Sequence, residues 1–330
     1  MKKLILAAAA LTAAALAAGG PALAQTKTLK LLSSWDRSNY AALEPALVYL
    51  EQLKKAGAGK LEIDLKGPET VPPFQQIQPV SSGAFDMLHT HGVYHAGSKG
   101  LALVMDAVEP DLEKRRASGV WDYLDKYYQK HNKVKLVSLP ISGTNGYQIV
   151  LRDALSPEND FKGSKIRGTQ SYFGVIKALG GTPVVLPPAE VYSALEKGVV
   201  DGAAWPAAGI YTMKWYEVAH YRVRPTFGTS NTIVAVNLTV WGKLTAAEQK
   251  LLLDAGRAAE TVMIKQGNVT LAKEEAELDK LGMKYAQLPP EKGAMVKQRW
   301  VTSLWEVAEQ CCADGAKELR AMALKANLTF

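Results

Sequence analysis

The chain has 330 residues, a formal net charge of +7, 39 basic against 32 acidic residues and only two cysteines. Its 48% hydrophobic and 22% charged content is that of an ordinary globular protein. That excludes a disordered chain, a collagen-like fibre and a small disulfide-stapled scaffold, while the length admits two domains and a sequence pI of about 9.1 leaves nucleic-acid binding open.

The N-terminus narrows this. Met1-Lys2-Lys3 is followed by an apolar run from Leu4 to Ala18, then Gly19-Gly20-Pro21 and Ala22-Leu23-Ala24. A basic start, a short apolar stretch and small residues before the cut make a cleavable secretory leader, residues 1–24, with cleavage before Gln25. The run is short for a spanning helix, which needs ~20 apolar residues. The residue after the cut is not a cysteine, so no lipid anchor is expected. Cleavage removes Lys2 and Lys3 and lowers the net charge by two. The exported chain is expected in the periplasm as a soluble protein, where nucleic acid is not an expected partner.

Strand and helix signals alternate from there. Thr28–Ser33 alternates like a strand, Tyr40–Lys55 has helical spacing, and Leu61–Leu65 is a second strand. Pro72-Pro73 opens a helical stretch from Phe74 to Val80 that stops at Gly83, and Phe85–His89 reads as a short buried strand. The alternation resumes at Lys133–Leu139, Tyr147–Arg152, Lys165–Arg167, Tyr172–Leu179 and Pro183–Leu186. This order predicts α/β architecture.

The last third differs. Thr245 with Glu248 forms a capping-box pattern, and no proline interrupts Thr245–Leu281. The spacing predicts one helix of ~35 residues, about 50 Å long, with Gly267 and Val269-Thr270 as places for a kink. Such a helix is too long for one small domain and is expected to cross two. A strand over Met283–Leu288 and a final helix from Pro290, interrupted near Gly315, complete the chain. Cys311 and Cys312 fall in that helix; neighbouring helical positions diverge, so they are expected as unpaired thiols rather than a disulfide.

Standard catalytic and nucleotide-binding motifs are absent: there is no G-x-x-x-x-G-K-[ST], no G-x-G-x-x-G after a strand and no G-x-S-x-G. No enzyme activity and no cofactor are expected. Three features point to binding chemistry. His89, His91 and His95 form a cluster that could ligate zinc or copper, which would make a periplasmic metal-binding protein; the alternative is a loop lining a cleft, with one histidine bonding a ligand. Lys165-Ile166-Arg167-Gly168 ends a short strand in an arginine, whose planar fork suits a carboxylate if it faces a cleft and is otherwise a surface group. The aromatic surplus around Trp205, Tyr211, Trp215, Tyr216, Tyr221 and Phe227 suits core packing, and also a ligand cleft.

A block of residues carries a family resemblance: Gly163-Ser164-Lys165-Ile166-Arg167, Lys177-Ala178-Leu179-Gly180-Gly181-Thr182-Pro183-Val184, Glu190–Gly202 and Lys214–Val218. With Val71-Pro72-Pro73-Phe74, Ser82–Met87 and the long 245–281 helix, it resembles the substrate-binding proteins of TRAP (tripartite ATP-independent periplasmic) transporters, DctP type, over 26–320. The resemblance implies a periplasmic binding protein fold: two α/β domains, an interdomain cleft, hinge strands and a domain-spanning helix. The division expected is residues 25–145 plus about 231–265 for the first domain, and 146–230 plus about 266–330 for the second. It implies a receptor that closes on an organic acid and delivers it to TRAP membrane permease subunits, with Arg167 clamping the carboxylate. Family positions also place Trp205 where an asparagine often binds ligand, Phe227 where some members are polar, and His91 where an acid can occur. A second family arginine falls near Tyr147, with Arg152 off the cleft. The site expected is therefore Arg167 as clamp, Trp205 and Phe227 packing the ligand body, Tyr147 and His91 as hydrogen-bond partners and Trp35 as a wall. The less polar pocket predicts a monocarboxylate with an apolar or aromatic body.

Overall fold

The structure, a computed structural model, describes residues 27–57, 59 and 61–329; the leader and its cleavage point lie outside them. The chain first runs β1 (Lys27–Ser33), α1 (Tyr40–Gly57), β2 (Leu61–Lys66), α2 (Ile77–Ser81), β3 (Met87–Thr90), α3 (Leu112–Ala117), α4 (Val120–Asn132) and β4 (Val134–Ser138). It continues through β5 (Tyr147–Leu151), β6 (Lys165–Arg167), α5 (Phe173–Ala178), β7 (Thr182–Val184), α6 (Val191–Glu196), β8 (Gly202–Pro206) and β9 (Tyr221–Arg224). The remaining elements are β10 (Ile233–Asn237), α7 (Leu238–Gly242), α8 (Ala246–Lys280), β11 (Lys284–Gln287) and α9 (Pro290–Lys325).

These strands make two sheets, ordered β2-β1-β3-β10-β4 and β11-β9-β5-β8-β6-β7. In the first, β1 lies parallel to β2 and β3, and β10 runs antiparallel between β3 and β4. In the second, β5 is antiparallel to β8 and β9, while β6 is parallel to β7 and β8. The chain leaves the first sheet after β4, builds most of the second, and returns as β10. The outgoing and returning links lie side by side, bridged in antiparallel sense at Ile141–Asn231 and Tyr147–Phe227.

Two long helices tie the sheets together. The Thr245 hydroxyl accepts from the Glu248 amide at 3.2 Å and the Glu248 carboxylate from the Thr245 amide at 2.7 Å, so the capping box forms. The first half of α8 docks on β4: Glu260 accepts the Leu139 amide at 2.7 Å, and Gly256 lets the backbones meet, since a Cβ there would lie 1.8 Å from the Val137 carbonyl oxygen. Its last turns engage the second sheet. Glu274 accepts the Gly209 and Tyr211 amides, and Glu275 and Asp279 pair with Arg222 and Arg224. The kink expected at Gly267 or Val269-Thr270 does not occur. Gly267 instead meets the 142–143 link, where a Cβ would sit 2.5 Å from the Gly143 nitrogen.

Helix α9 is interrupted near Gly315 as expected, at Cys312 (φ −141°, ψ 33°), but it corrects the reading of its cysteines. Cys311 and Cys312 are joined as a vicinal disulfide, because leaving helical φ/ψ removes the divergence that a regular helix imposes on neighbouring side chains. Ser303 packs on Gly174 of α5, but Gly315 packs on Tyr127 of α4, and the Leu328 carbonyl accepts the Glu109 amide. The end of α9 thus belongs with the first sheet's helices. No helix among the described residues is long and apolar enough to cross a membrane.

Candidate functional site

Between the two sheets lies a small, mainly apolar cavity of about 50 Å³. One water needs ~10–15 Å³ on such a measure, so the space suits a few heavy atoms. First-sheet elements supply Trp35, His91, Tyr94 and Asp106 to its lining, and the second sheet, with the links, supplies Tyr147, Arg167, Ser171, Tyr172 and Trp205. Trp300 of α9 closes it.

Arg167 ends β6, where pairing with β7 and β8 fixes its backbone. The side chain is 1% exposed. Nε and Nη2 donate to the Leu186 carbonyl at 3.1 and 2.8 Å, and Nη1 to the Ala204 carbonyl at 3.1 Å. A guanidinium has five N–H donors, so two remain. No acidic side chain forms a salt bridge with it among the described residues. Trp205 lies under the cation, 5.2 Å from ring centroid to Cζ. Burial lowers the Arg167 pKa, against partial support from Tyr94 and Tyr172. A buried cation with spare donors and no counter-ion, facing a cavity, has the chemistry to receive an anion. Ser171 adds to it: its hydroxyl is buried on the cavity wall without a partner.

Opposite chemistry occupies another part of the wall. Asp106 is 1% exposed, and its carboxylate accepts from His91 Nε2 at 2.7 Å, the Tyr147 hydroxyl at 2.6 Å, the Asn231 amide at 3.0 Å and Asn231 Nδ2 at 3.1 Å. The Val93 amide donates to His91 Nδ1 at 3.1 Å, which places the imidazole proton on Nε2, toward Asp106. Behind Asn231, Arg115 donates to its Oδ1 at 2.7 Å.

Most of the expected residues meet here. Arg167, Trp205, Tyr147, His91 and Trp35 all line the cavity. Phe227 does not: it packs behind the wall, 5.1 Å from the Trp300 ring and 6.5 Å from the Tyr147 ring. Tyr147 and His91 both spend a hydrogen bond on Asp106. The histidine cluster does not converge either. His89 bonds Ser33 and Thr232, His91 bonds Asp106 and His95 bonds Tyr128. Among the described residues no three His, Cys, Asp or Glu side chains are placed to hold a metal ion. The metal reading is thereby overturned. Sequence reasoning missed Asp106, Tyr94, Ser171, Tyr172 and Trp300. For Asp106 a signal existed: it is the lone charge in the apolar run Leu101–Val108, and such a residue is seldom buried unless paired.

Two sheets bridged by paired links and long helices, with a cavity between them, define the class: a two-lobed α/β solute-binding protein. The family model described as bacterial extracellular solute-binding protein, family 7 (DctP) matches residues 41–310, and the chain belongs to that family. Among sequence relatives, a monocarboxylate 2-oxoacid-binding periplasmic protein of Nostoc sp. is 25% identical over 72% of this chain and 67% of its own. The C4-dicarboxylate-binding periplasmic protein DctP of Rhodobacter capsulatus is 32% identical over 44% of this chain and 52% of its own. The matches to the first curated relatives span from about a third to two thirds of their lengths, 32%, 67% and 52%. A TRAP periplasmic solute-binding protein of Desulfovibrio salexigens with bound orotic acid shares the fold, with TM-score 0.79, 19% identity and coverage of 91% of this chain and 98% of that one. A Bordetella pertussis extracytoplasmic solute receptor binding pyroglutamic acid has TM-score 0.76 and 18% identity, over 91% of this chain and 100% of that one.

Proposed function

We propose that the protein is the extracytoplasmic receptor of a TRAP transporter, binding a carboxylate-bearing organic acid in the cavity and delivering it to the membrane permease. The observation that carries this is Arg167, a buried cation with donors left over from its three carbonyl bonds, beside the Tyr94 hydroxyl and without a counter-ion. The ligand's carboxylate supplies the missing charge, and Ser171 supplies a further hydrogen bond. Trp35, Tyr94, Tyr172, Trp205 and Trp300 pack the ligand's body. Their apolar surface and the small volume favour a monocarboxylate with a compact apolar or unsaturated body over a sugar acid. Names of relatives support the class: orotic acid, pyroglutamic acid and 2-oxoacids are carboxylic acids that those proteins bind. Export by the 1–24 leader places the receptor in the periplasm, and its role is binding rather than catalysis.

A thermal-shift screen of organic acids followed by titration calorimetry tests the reading. At least one small carboxylic acid is expected to bind with 1:1 stoichiometry. Arg167→Met is expected to weaken it at least ~100-fold, about 2.7 kcal/mol, because the anion loses its buried partner. Unchanged affinity in that variant sinks the assignment.

A further inference from the structure

We propose that Asp106 restricts the cavity to ligands bearing a single negative charge, so that dicarboxylates are excluded or enter only as hydrogen-carboxylate monoanions. This rests on the reading of Arg167 as the carboxylate clamp.

Two ionic side chains on the cavity wall, Arg167 and Asp106, are each 1% exposed. Arg115, equally buried, stands behind Asp106 and reaches it through Asn231, which accepts from Arg115 at Oδ1 and donates to Asp106 from Nδ2. The other Arg115 donors go to the backbone carbonyls of Met105, Val108 and Glu109. Glu260, also nearby, is already paired with Arg116. Arg115 and Asp106 therefore neutralise one another, and Arg167 alone lacks a counter-charge. One carboxylate completes the set.

A second carboxylate has no cation left to meet. His91 does not serve, since its Nδ1 lone pair is taken by the Val93 amide and its Nε2 proton points to Asp106. The Tyr147 hydroxyl likewise donates to Asp106 rather than to the cavity. Asp106 thus draws the two nearest donors away from a ligand, and although Arg115 balances its charge from behind, it is the carboxylate that lies on the cavity wall. The remaining wall carries no cation: it is aromatic and aliphatic, with the hydroxyls of Ser142, Thr169, Ser171, Ser230 and Thr232, which can hydrogen-bond an anion but not neutralise it. Burial of an unpaired charge in such surroundings is resolved by neutralisation, hence proton uptake by any diacid that does bind.

The test uses the purified exported chain and matched pairs, butanoate with succinate and 2-oxopentanoate with 2-oxoglutarate, measured by calorimetry in two buffers of different ionisation enthalpy. Wild type is expected to bind the monoacid of a pair at least tenfold tighter at pH 7.5. Any diacid binding is expected to take up close to one proton. Asp106→Asn is expected to shrink the monoacid preference at least tenfold, since it removes the fixed charge and leaves Arg115 uncompensated. A diacid that binds wild type as tightly as its monoacid without proton uptake overturns the proposal. An unchanged preference in a folded Asp106→Asn protein overturns it too. Should that variant not fold, the wild-type preference and proton count decide alone. Arg167→Met separates the two readings: if it leaves binding of both series intact, or if neither series binds wild type, the clamp itself is wrong. If it abolishes both while wild type prefers the dianion, only the role of Asp106 fails.

Discussion

Arg167 and Phe227 were both placed in the site on family grounds, yet only one faces the cavity. Local sequence left the arginine open between a clamp and a surface group, and the family resemblance decided it; pairing of Lys165-Ile166-Arg167 on both sides holds it in place. Phe227 sits in the returning link, where its place behind Tyr147 and Trp300 depends on a tertiary contact that no spacing announces. Histidines show the same limit. Three in a stretch of seven read as a ligand set, but each was recruited by a different element. Burial holds the His89 and His95 pKa down at about 3, from 6.5. Both stay neutral in the fold while the unfolded chain takes up protons below pH 6.5, so their contribution is complete above that pH and is lost as pH falls. The slope is ~1.4 kcal/mol per pH unit for each. Glu274 acts in the opposite sense: burial raises its pKa to about 7, which stabilises the fold at low pH and weakens it as pH rises through 7. Glu44 is raised by burial in the same sense; the two histidines, each displaced further than either carboxyl, outweigh them, so calorimetric Tm is expected to fall between pH 6.5 and 5. His95→Gln is expected to shed about half of the histidine part of that slope; an unchanged slope would show that His95 is not held neutral by burial.

At the scale of elements, α8 was the most legible, because a capping box, continuous helix formers and freedom from proline act locally and agree. Its straightness at Gly267 was not legible. Glycine there looks like a weak point but answers a contact with residues 142–143, more than a hundred positions earlier. Strands β8 and β9 went unnoticed for a related reason. Gly-Ala-Ala-Trp-Pro carries little strand propensity and Tyr-Arg-Val-Arg is only four residues long, and pairing with β5 makes both strands. The vicinal disulfide was misread because helical geometry was assumed at Cys312. The close approach of α8 to β4 yields a prediction at this scale. Gly256→Ala puts a methyl where the Val137 carbonyl now lies, and α8 must retreat from β4. A loss of about 2–3 kcal/mol is expected, despite alanine's better helix propensity. Denaturant titration checks it; a neutral or stabilising result would mean the helix shifts freely on the sheet.

For the whole molecule the informative fact is that the cavity wall is divided between the lobes while the buried cation belongs to one of them. Arg167 comes from the second sheet, and Trp35, Tyr94 and Asp106 come from elements of the first. Without an anion, closing the lobes strips water from a guanidinium that has no counter-charge, which is unfavourable. With a carboxylate bound, the same closure buries a neutral pair and the aromatic surface around it. The bound ligand therefore shifts the population toward the closed form by its differential affinity, and the paired links at 139–146 and 225–232 are the narrow connections about which the lobes can turn. Small-angle X-ray scattering is expected to show a smaller radius of gyration on addition of a binding acid, and no change for Arg167→Met at the same concentration. Replacing Arg167 by methionine also removes the charge that opposes closure, so the ligand-free variant is expected to be more compact than ligand-free wild type. Equal radii for the two ligand-free proteins would mean that the unpaired guanidinium does not set the open state.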